Sequence, residues 1–267
     1  MGYILAASHS GSTLLAMLLG AHPDICTVGE LKLSPKAIGD VGRYRCSCGQ
    51  LIKACPFWAR VKDGMGRRGF AFDIADAGTS YTSLGTLYTS WLLRPLHRGP
   101  VLECVRDAAL WLSAHWRRRL PEIQRRNVAL AETICQIAGG RIIVDSSKVA
   151  LRLKYLLRNP DLDVKVIRLI RDGRAVALTY MDPARFADAM DPRLRGGGMG
   201  GDRVAERLSM AQAAREWLRS NQEAEHILAR LDESRWIEVR YEELCLNTVA
   251  TLRRLLKFLG VEPAAAK

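Results

Sequence analysis

The sequence lacks any run of about 18 or more apolar residues, the minimum for a membrane-spanning helix. It also lacks the basic segment followed by an apolar one that marks a secretory signal. We therefore expect neither a membrane span nor a leader, and a protein of the cytoplasm. Internal repeats and linkers are absent too. The 267 residues, 48% of them hydrophobic, are expected to form a single domain (residues 1–267) with a sizeable core.

Acidic residues are the scarcer charged class. The chain has 28 Asp and Glu against 40 Lys and Arg, a formal net charge of +12. Such an excess favours anionic ligands, although a basic solvated exterior would have the same composition. The recognition motifs of nucleic-acid-binding proteins are missing, so we expect no specific nucleic acid partner.

The first thirty residues contain the most informative pattern. Tyr3–Ala7 is a short apolar run, Ser8–Thr13 is a turn of small polar residues, and Leu14–Leu19 is an apolar stretch closed by Gly20. This order predicts a buried strand, a tight loop and a helix. The loop would direct backbone N–H groups, hydroxyls and a helix N-terminus to one point, which suits a phosphate or sulfate. Gly11 would let the backbone approach the ligand closely. An ordinary strand-to-helix connection is the alternative.

The loop has no lysine at the position that GxxxxGK[ST] requires. A Walker-type nucleotide hydrolase or kinase is therefore disfavoured.

Strands and helices alternate along the rest of the chain. Apolar runs at 141–144, 164–170 and 236–239 predict further strands, with a polar turn at Asp145–Lys148 and a helix over 149–158. This alternation indicates an α/β fold in which helices flank a central parallel sheet and ligands gather at the carboxyl ends of the strands.

The remaining segments have weaker signals. Residues 31–100 are predicted to be an irregular insertion, and 101–138 to be two helices broken at Pro121. The glycine-rich residues 182–202 are either a floppy loop or a lid over bound substrate. Asp202 is predicted to cap a helix that runs to about Leu231. Asn247 is predicted to cap a last helix that Gly260 ends.

Three motifs in this order resemble those of a known family. HSGST (9–13) followed by AHPDICTVGE, the stretch IRLIRDGRAVALTY (167–180), and RYEEL (240–244) with a helix ending in FLG are similar to the motifs of sulfotransferases that use 3′-phosphoadenosine 5′-phosphosulfate (PAPS). The likeness is nearest to bacterial sulfotransferases and tyrosylprotein sulfotransferases. The resemblance implies a three-layer P-loop-like fold. It also implies transfer of a sulfuryl group to a hydroxyl by in-line displacement.

The resemblance also implies how PAPS is bound. The 5′-phosphosulfate would lie on the first loop, the 3′-phosphate on a second pair of residues, and the adenine against a tyrosine. In that order, these residues are His9, Ser10, Gly11, Ser12, Thr13 and Leu14, then Arg171 and Thr179, and finally Tyr241. The product would be adenosine 3′,5′-bisphosphate, and no metal is required. The acceptor could be a small molecule, glycan, lipid or peptide hydroxyl, and residues 31–100 would cover its side of the site.

Three catalytic residues follow from the same resemblance. Glu30 would be the general base, provided that burial raises its pKa. Lys148 would stabilise the leaving phosphate, although an exposed lysine there is as plausible. His9 stands where the family has lysine or arginine, and only its protonated ring would supply the charge, so activity is expected to fall as His9 loses its proton.

Cys46, Cys48 and Cys55 form a C-x-C-x6-C cluster. Zinc is one interpretation, but the spacing differs from the C-x2-C of zinc knuckles, and reduced structural thiols are favoured. For the whole chain, two functional alternatives stay open beside sulfuryl transfer. One is a P-loop-type kinase, and the other is a non-catalytic protein that binds nucleotides or polyanions.

Overall fold

The structure is a computed structural model that describes residues 1–32, 45–81, 92–93, 100–182 and 207–263. Within these ranges it contains the following strands: β1 (Gly2–Ala6), β2 (Ile25–Thr27), β3 (Ile142–Lys148), β4 (Lys165–Ile170) and β5 (Trp236–Arg240). The α-helices are α1 (Ser12–Gly20), α2 (Pro56–Arg67), α3 (Pro100–Leu112), α4 (Ala114–Ala138), α5 (Ala150–Leu157), α6 (Gly173–Met181), α7 (Met210–Leu228), α8 (Tyr241–Leu246) and α9 (Thr248–Leu259).

The five strands form one parallel sheet in the order β2-β3-β1-β4-β5. The first strand is therefore central: Gly2 is in register with Val144 of β3 on one side and with Lys165 of β4 on the other. All five residues of β1 are buried, as expected for a parallel strand covered on both faces. The predicted α/β fold with a central parallel sheet is confirmed.

Side chains of β1 alternate between two layers of core. Tyr3 and Leu5 pack with residues of α5 and α7, whereas Ile4 and Ala6 pack with residues of α1 and α9 on the opposite face. Strand side chains have a period of two, so one short apolar run contacts both helical layers. The molecule thus has three layers, with helices on each side of the sheet. A further core cluster joins α2 to α4.

The structure differs from the sequence prediction at two strands. The strand β2 lies where the sequence predicts none, because Ile25–Thr27 is too short to show a period and follows α1 after only a short turn at 22–24. Asp145–Lys148 is not a turn but the second half of β3, in which Asp145, Ser146 and Ser147 are fully buried. Polar residues suggest a turn, yet these are accommodated in a strand by hydrogen bonds described below.

The predicted break at Pro121 is also wrong. Pro121 lies inside α4, and the two helices separate at Ser113, whose hydroxyl accepts a hydrogen bond from the Trp116 N–H and caps α4. The helix predicted to end near Leu231 begins at Met210 under a capping box formed by Ser209 and Gln212. Asp202 lies outside the described residues.

The last helix agrees with its prediction in its bounds. Gly260 ends α9 with a left-handed φ of 81°, and Asn247 occupies the N-cap position, although its side chain makes no capping hydrogen bond. The residues of the predicted glycine-rich lid from 183 onward, and parts of the insertion at 31–100, lie outside the described residues. In the ranges that are described, no helix combines the length and apolarity needed to cross a membrane.

Candidate active site

The sheet has a switch point between its neighbouring strands β1 and β4. The chain leaves β1 through α1 toward β2, and it leaves β4 through α6 and α7 toward β5 on the opposite side. Ligands of open α/β sheets bind in the crevice at the carboxyl ends of two such strands. The loop after β1 and the segment after β4 contain two of the three motifs identified in the sequence.

The loop after β1 has the backbone of an anion site. His9 and Gly11 both adopt left-handed conformations, with φ of 62° and 87°, and α1 begins at Ser12 without a side-chain cap. The first N–H groups of α1 are therefore available to a ligand. The Ser10 hydroxyl is buried and has no hydrogen-bond partner among the described residues. An unpaired buried hydroxyl is costly, and a bound oxyanion would satisfy it.

Arg171, directly after β4, connects this loop to the opposite wall. Its Nη1 donates to the His9 carbonyl oxygen at 2.8 Å, and its guanidinium carbon lies 4.5 Å from the centre of the Tyr241 ring. A Cβ on Gly11 would lie 2.3 Å from two carbons of the same ring. Gly11 therefore makes room for Tyr241, while close approach of its backbone to a ligand stays a prediction. Residues from three distant motifs meet at this point.

Trp217 contacts the backbone of the Arg171 segment, a contact that the sequence does not reveal. Its indole Nε1 donates to the Arg171 carbonyl oxygen at 3.1 Å, and a Cβ on Gly173 would lie 3.1 Å from the indole ring. The ring is partly buried against the cluster that holds α6 to α7. Trp217 is thus a core residue at the edge of the site.

The two charged neighbours of Arg171 interact with each other. Asp172 caps α6 and pairs with Arg174 at 2.6 Å. Hydrogen bonds from the Arg174 side chain and backbone lower the pKa of Asp172 to about 2. Asp172 thus pairs with Arg174, whereas the guanidinium of Arg171 contacts His9 and Tyr241.

Thr179 lies on α6, two turns after Arg171. It is buried, and its hydroxyl donates to the Ala175 carbonyl oxygen at 3.0 Å. The oxygen can still accept, but its proton is used within the helix. The structure does not bring Thr179 into contact with Arg171.

Glu30 and Lys148 form an ion pair on the other side of β1. Lys148 ends β3, next to Leu5 of β1, and its ammonium group contacts Glu30 Oε1. Lys32 contacts the second carboxylate oxygen at 2.8 Å. Burial raises the pKa of Glu30, but Lys148 and Lys32 lower it by more, so the pKa lies below its usual range. The condition attached to Glu30 as a general base, a pKa raised by burial, is not met in this arrangement, because two cations outweigh desolvation.

The backbone at Lys148 is unusual. Its φ of 66° is left-handed, which a residue with a side chain adopts only at a cost. The neighbouring Val149 carbonyl accepts a hydrogen bond from the buried Tyr3 hydroxyl at 2.8 Å. Surrounding contacts thus hold Lys148 in the conformation that places its ammonium group beside Glu30.

A buried ion pair anchors the Glu30 segment, and the sequence gives no signal of it. Arg152 Nε donates to Asp145 Oδ2 at 2.8 Å, and both side chains are almost completely buried. Asp145 Oδ1 accepts from the N–H groups of Leu31 and Ser147. The Ser147 hydroxyl in turn accepts from the N–H of Lys32 at 3.1 Å.

Arg152 also donates to two other segments. Its Nη1 contacts the Thr79 carbonyl oxygen at 2.9 Å, and its Nη2 contacts Asn127 Oδ1 at 2.8 Å. The Thr79 hydroxyl donates to the Leu31 carbonyl oxygen at 2.9 Å. Glu30 therefore precedes a stretch of backbone that is fixed on both sides.

His9 contacts both Arg171 and Tyr180. Its carbonyl accepts from Arg171, and its ring packs edge-on against Tyr180, with 4.5 Å between the ring centres. The ring is half-buried, next to Ser10. Among the predicted residues, the structure thus brings together the first loop, Arg171 and Tyr241, and separately Glu30 and Lys148.

Two cavities among the described residues lie away from the predicted donor-site residues. One, of about 330 Å³, lies between residues 71–78 and α4; the other, of about 250 Å³, lies between α3, α5 and α7.

Comparison with known proteins agrees with this fold. The search of curated proteins found no match. Similar solved structures include the sulfotransferase domain from the curacin biosynthetic pathway, with 20% identity and a TM-score of 0.49 over 100% of this chain and 78% of that chain. The sulfotransferase domain of the Synechococcus PCC 7002 olefin synthase has 19% identity and a TM-score of 0.50 over the same shares. Sulfotransferase STF1 of Mycobacterium tuberculosis H37Rv has 17% identity and a TM-score of 0.46 over 97% of this chain and 67% of that chain.

At these identities the olefin-synthase domain supports the shared fold alone. The sequence adds a family match: residues 152–265, which include Arg171, Thr179 and Tyr241, match the sulfotransferase family. The predicted resemblance to sulfotransferases is confirmed over these residues. Over this part, 114 of its 267 residues, the chain is similar to the sulfotransferase family.

Proposed function

We propose that this protein transfers a sulfuryl group from PAPS to a hydroxyl group of an acceptor. The observation that carries the proposal is the meeting of the first loop, Arg171 and Tyr241 at the switch point, in a loop whose buried Ser10 hydroxyl has no partner among the described residues. These groups are suited to a ligand with phosphate or sulfate groups and an aromatic base.

The donor would be held at two places. N–H groups and hydroxyls at Ser10–Thr13, with the N–H of Leu14, would bind the 5′-phosphosulfate at the start of α1. Arg171 would bind the 3′-phosphate together with Thr179. Its described hydrogen bond to the His9 carbonyl uses one of five N–H donors, so the others can serve a phosphate. Tyr241 would contact the adenine.

In the reaction, the acceptor oxygen would form a bond to sulfur while the bond from sulfur to the bridging phosphate oxygen breaks. Glu30 would take the acceptor's proton, and adenosine 3′,5′-bisphosphate would leave. The lowered pKa keeps the carboxylate ionised at neutral pH, ready to accept this proton. It also makes Glu30 a weaker base while both lysines are beside it.

Lys148 offers a way to strengthen that base. We infer that its ammonium group turns from Glu30 to the leaving phosphate when the donor binds. Loss of this cation would raise the pKa of Glu30 as the leaving group gains negative charge. His9, at the residue before Ser10, would donate to the same departing oxygen. The proposed step needs no metal.

The acceptor stays open between a small molecule, a glycan, a lipid and a peptide hydroxyl, and a cytoplasmic location stays a prediction. The family match counts against the kinase alternative.

Two measurements test the proposal. Calorimetry should detect binding of adenosine 3′,5′-bisphosphate, and Arg171→Ala should weaken it far more than it weakens binding of adenosine 5′-monophosphate, which lacks the 3′-phosphate. Equal losses for the two ligands would contradict the assignment of Arg171.

Incubation of PAPS with an acceptor panel should add the mass of one sulfuryl group to a hydroxyl compound, as seen by mass spectrometry. Glu30→Gln should abolish this transfer and leave binding of adenosine 3′,5′-bisphosphate intact. Tight binding without transfer to any acceptor would favour the non-catalytic alternative.

A further inference from the structure

Three cysteines outside the proposed active site converge on one point. The sulfur of Cys55 lies 3.4 Å from that of Cys46 and 3.5 Å from that of Cys48, and all three sulfur atoms lie within 4.8 Å of one another. Cys55 is buried, Cys46 is half-buried and Cys48 is exposed. The cluster is therefore open to solvent on one side and set into the protein on the other.

The backbone holds two of these cysteines in a tight turn. The Cys46 N–H donates to the Gln50 carbonyl and the Gly49 N–H donates to the Cys46 carbonyl, each at 2.9 Å. Gly49 has a left-handed φ of 85°, which reverses the chain. Arg45 and Leu51 pair across the base of the turn.

The third cysteine approaches from a rigid element. Cys55 is the N-cap residue of α2, and Pro56 occupies the first position of the helix. Packing of Cys55 with Ile52 and Trp58 in the α2–α4 core fixes its position relative to the turn.

The distances distinguish two chemistries. Thiolates bound to one tetrahedral zinc ion at about 2.3 Å are separated from each other by about 3.8 Å, whereas the sulfur atoms of a disulfide are about 2.05 Å apart. Separations of 3.4 and 3.5 Å exclude a disulfide; they suit hydrogen bonds between thiols and also lie near the zinc value, and all three sulfur atoms lie within 4.8 Å of one another. Three converging thiols are a donor set that selects soft or borderline ions.

We propose that Cys46, Cys48 and Cys55 bind one Zn²⁺ ion through three thiolates, with water or another external ligand in the fourth position. Within the described ranges, no further His, Cys, Asp or Glu joins the group. The ion would fasten the turn at 46–49 to the start of α2, so its role is structural and separate from sulfuryl transfer. The sequence alone favours three reduced thiols without metal. The convergence of all three sulfur atoms on one point favours a metal ion.

Metal analysis of the full chain, purified without chelators and with a thiol reductant, tests this inference. We expect about one zinc per chain by mass spectrometry. After removal of the ion, titration with Co²⁺ should produce the absorption bands of a tetrahedral thiolate site. Cys48→Ser should weaken zinc binding by about 100-fold or more, measured in competition with a chromogenic chelator, because one of three thiolates is lost.

Cys104→Ser is the matched control, since Cys104 is an exposed cysteine on α3 outside the cluster. It should keep wild-type affinity. Circular dichroism should show that both variants fold, and Cys48 is chosen because its exposure makes a folding defect least expected. Reactivity of the native thiols gives a second measurement: zinc should protect Cys46, Cys48 and Cys55 from alkylation while Cys104 reacts.

An apoprotein that takes up no zinc from the chelator overturns the inference, as does an equal loss of affinity in both variants. A disulfide between two of the three cysteines under reducing conditions would also overturn it.

Discussion

At the scale of single residues, Gly11 is the tightest point of the proposed donor site. Its left-handed φ and its approach to Tyr241 both exclude a side chain. Gly11→Ala should therefore push the Tyr241 ring away and weaken binding of adenosine 3′,5′-bisphosphate by at least about 10-fold, on top of a backbone cost of about 1 kcal/mol. Calorimetry and urea unfolding measure the two effects.

Gly69→Ala separates these effects. Gly69 has a similar φ of 81°, and a Cβ there would meet nothing within 4 Å. Gly69→Ala should lower the free energy of unfolding without weakening nucleotide binding. If Gly11→Ala binds the nucleotide as tightly as Gly69→Ala does, the contact with Tyr241 has no bearing on the ligand.

The charges around Glu30 predict a pH dependence. The folded-state pKa of Glu30 is lowered, so the carboxylate persists until the pH falls below the usual glutamate range. Lys32→Met removes one of the two cations that cause this, and the pKa should rise. The acid limb of kcat/KM for transfer should then move to higher pH, with little change near neutrality.

Lys53→Met is a suitable control for overall charge, since Lys53 lies on the turn of helix before α2. It should leave the acid limb unchanged. A limb that stays in place in Lys32→Met would show that a group other than Glu30 accepts the proton.

At the scale of elements, the pair of Asp145 on β3 and Arg152 on α5 connects β3, α5, α4 and the segment after β2. Arg152→Met leaves the Asp145 carboxylate buried without its cation. Breaking a buried pair in this way costs about 3–5 kcal/mol, against at most about 1 kcal/mol for an exposed pair. Urea unfolding of Arg152→Met should show the larger loss.

Arg254→Met breaks an exposed pair with Glu243 and is the matched comparison. Its loss of unfolding free energy should be at most about 1 kcal/mol, as for other exposed pairs. Equal losses in the two variants would contradict a structural role for the buried network.

The same elements show what the sequence can reveal. Strands β1, β3 and β4 were predictable because each contains a continuous apolar run, and Gly260 was predictable because a left-handed helix end favours glycine. The interaction of Asp145 with Leu31, 114 residues away, was not, because no local pattern records a contact between distant segments. Proline is a stronger local signal than serine, so the sequence favours a break at Pro121, yet the Ser113 hydroxyl decides where α4 begins.

The proposed site shows the same division. The first loop, Arg171 and Tyr241 were identified from their motifs, whereas the roles of Gly11 and Trp217 depend on rings that approach from elsewhere in the chain. The pKa of Glu30 depends on the spatial neighbours Lys148 and Lys32, and only one of these is close in sequence.

At the scale of the whole molecule, the proposed donor joins segments that follow different strands. Adenosine 3′,5′-bisphosphate should bind the folded chain and not the unfolded one, because Ser10 and Arg171 are 161 residues apart in sequence. At a concentration 100 times its dissociation constant it should stabilise the fold by about 2.7 kcal/mol, or roughly 5–10 °C in melting temperature. Differential scanning calorimetry measures this shift.

The Arg171→Ala variant at the same nucleotide concentration serves as the comparison. Its shift should fall by more than half. An unchanged shift would mean that the nucleotide is held elsewhere on the basic surface.

The arginine enclosed between β3, α4 and residue 79 also has an evolutionary consequence. Replacing Arg152 alone by an apolar residue would leave the Asp145 carboxylate buried without a cation. Replacing Asp145 alone would leave the Arg152 guanidinium buried without an anion. Change at these positions is therefore expected to be concerted: descendants that have lost Arg152 should have lost Asp145 as well, and Asn127 should be free to vary only in them.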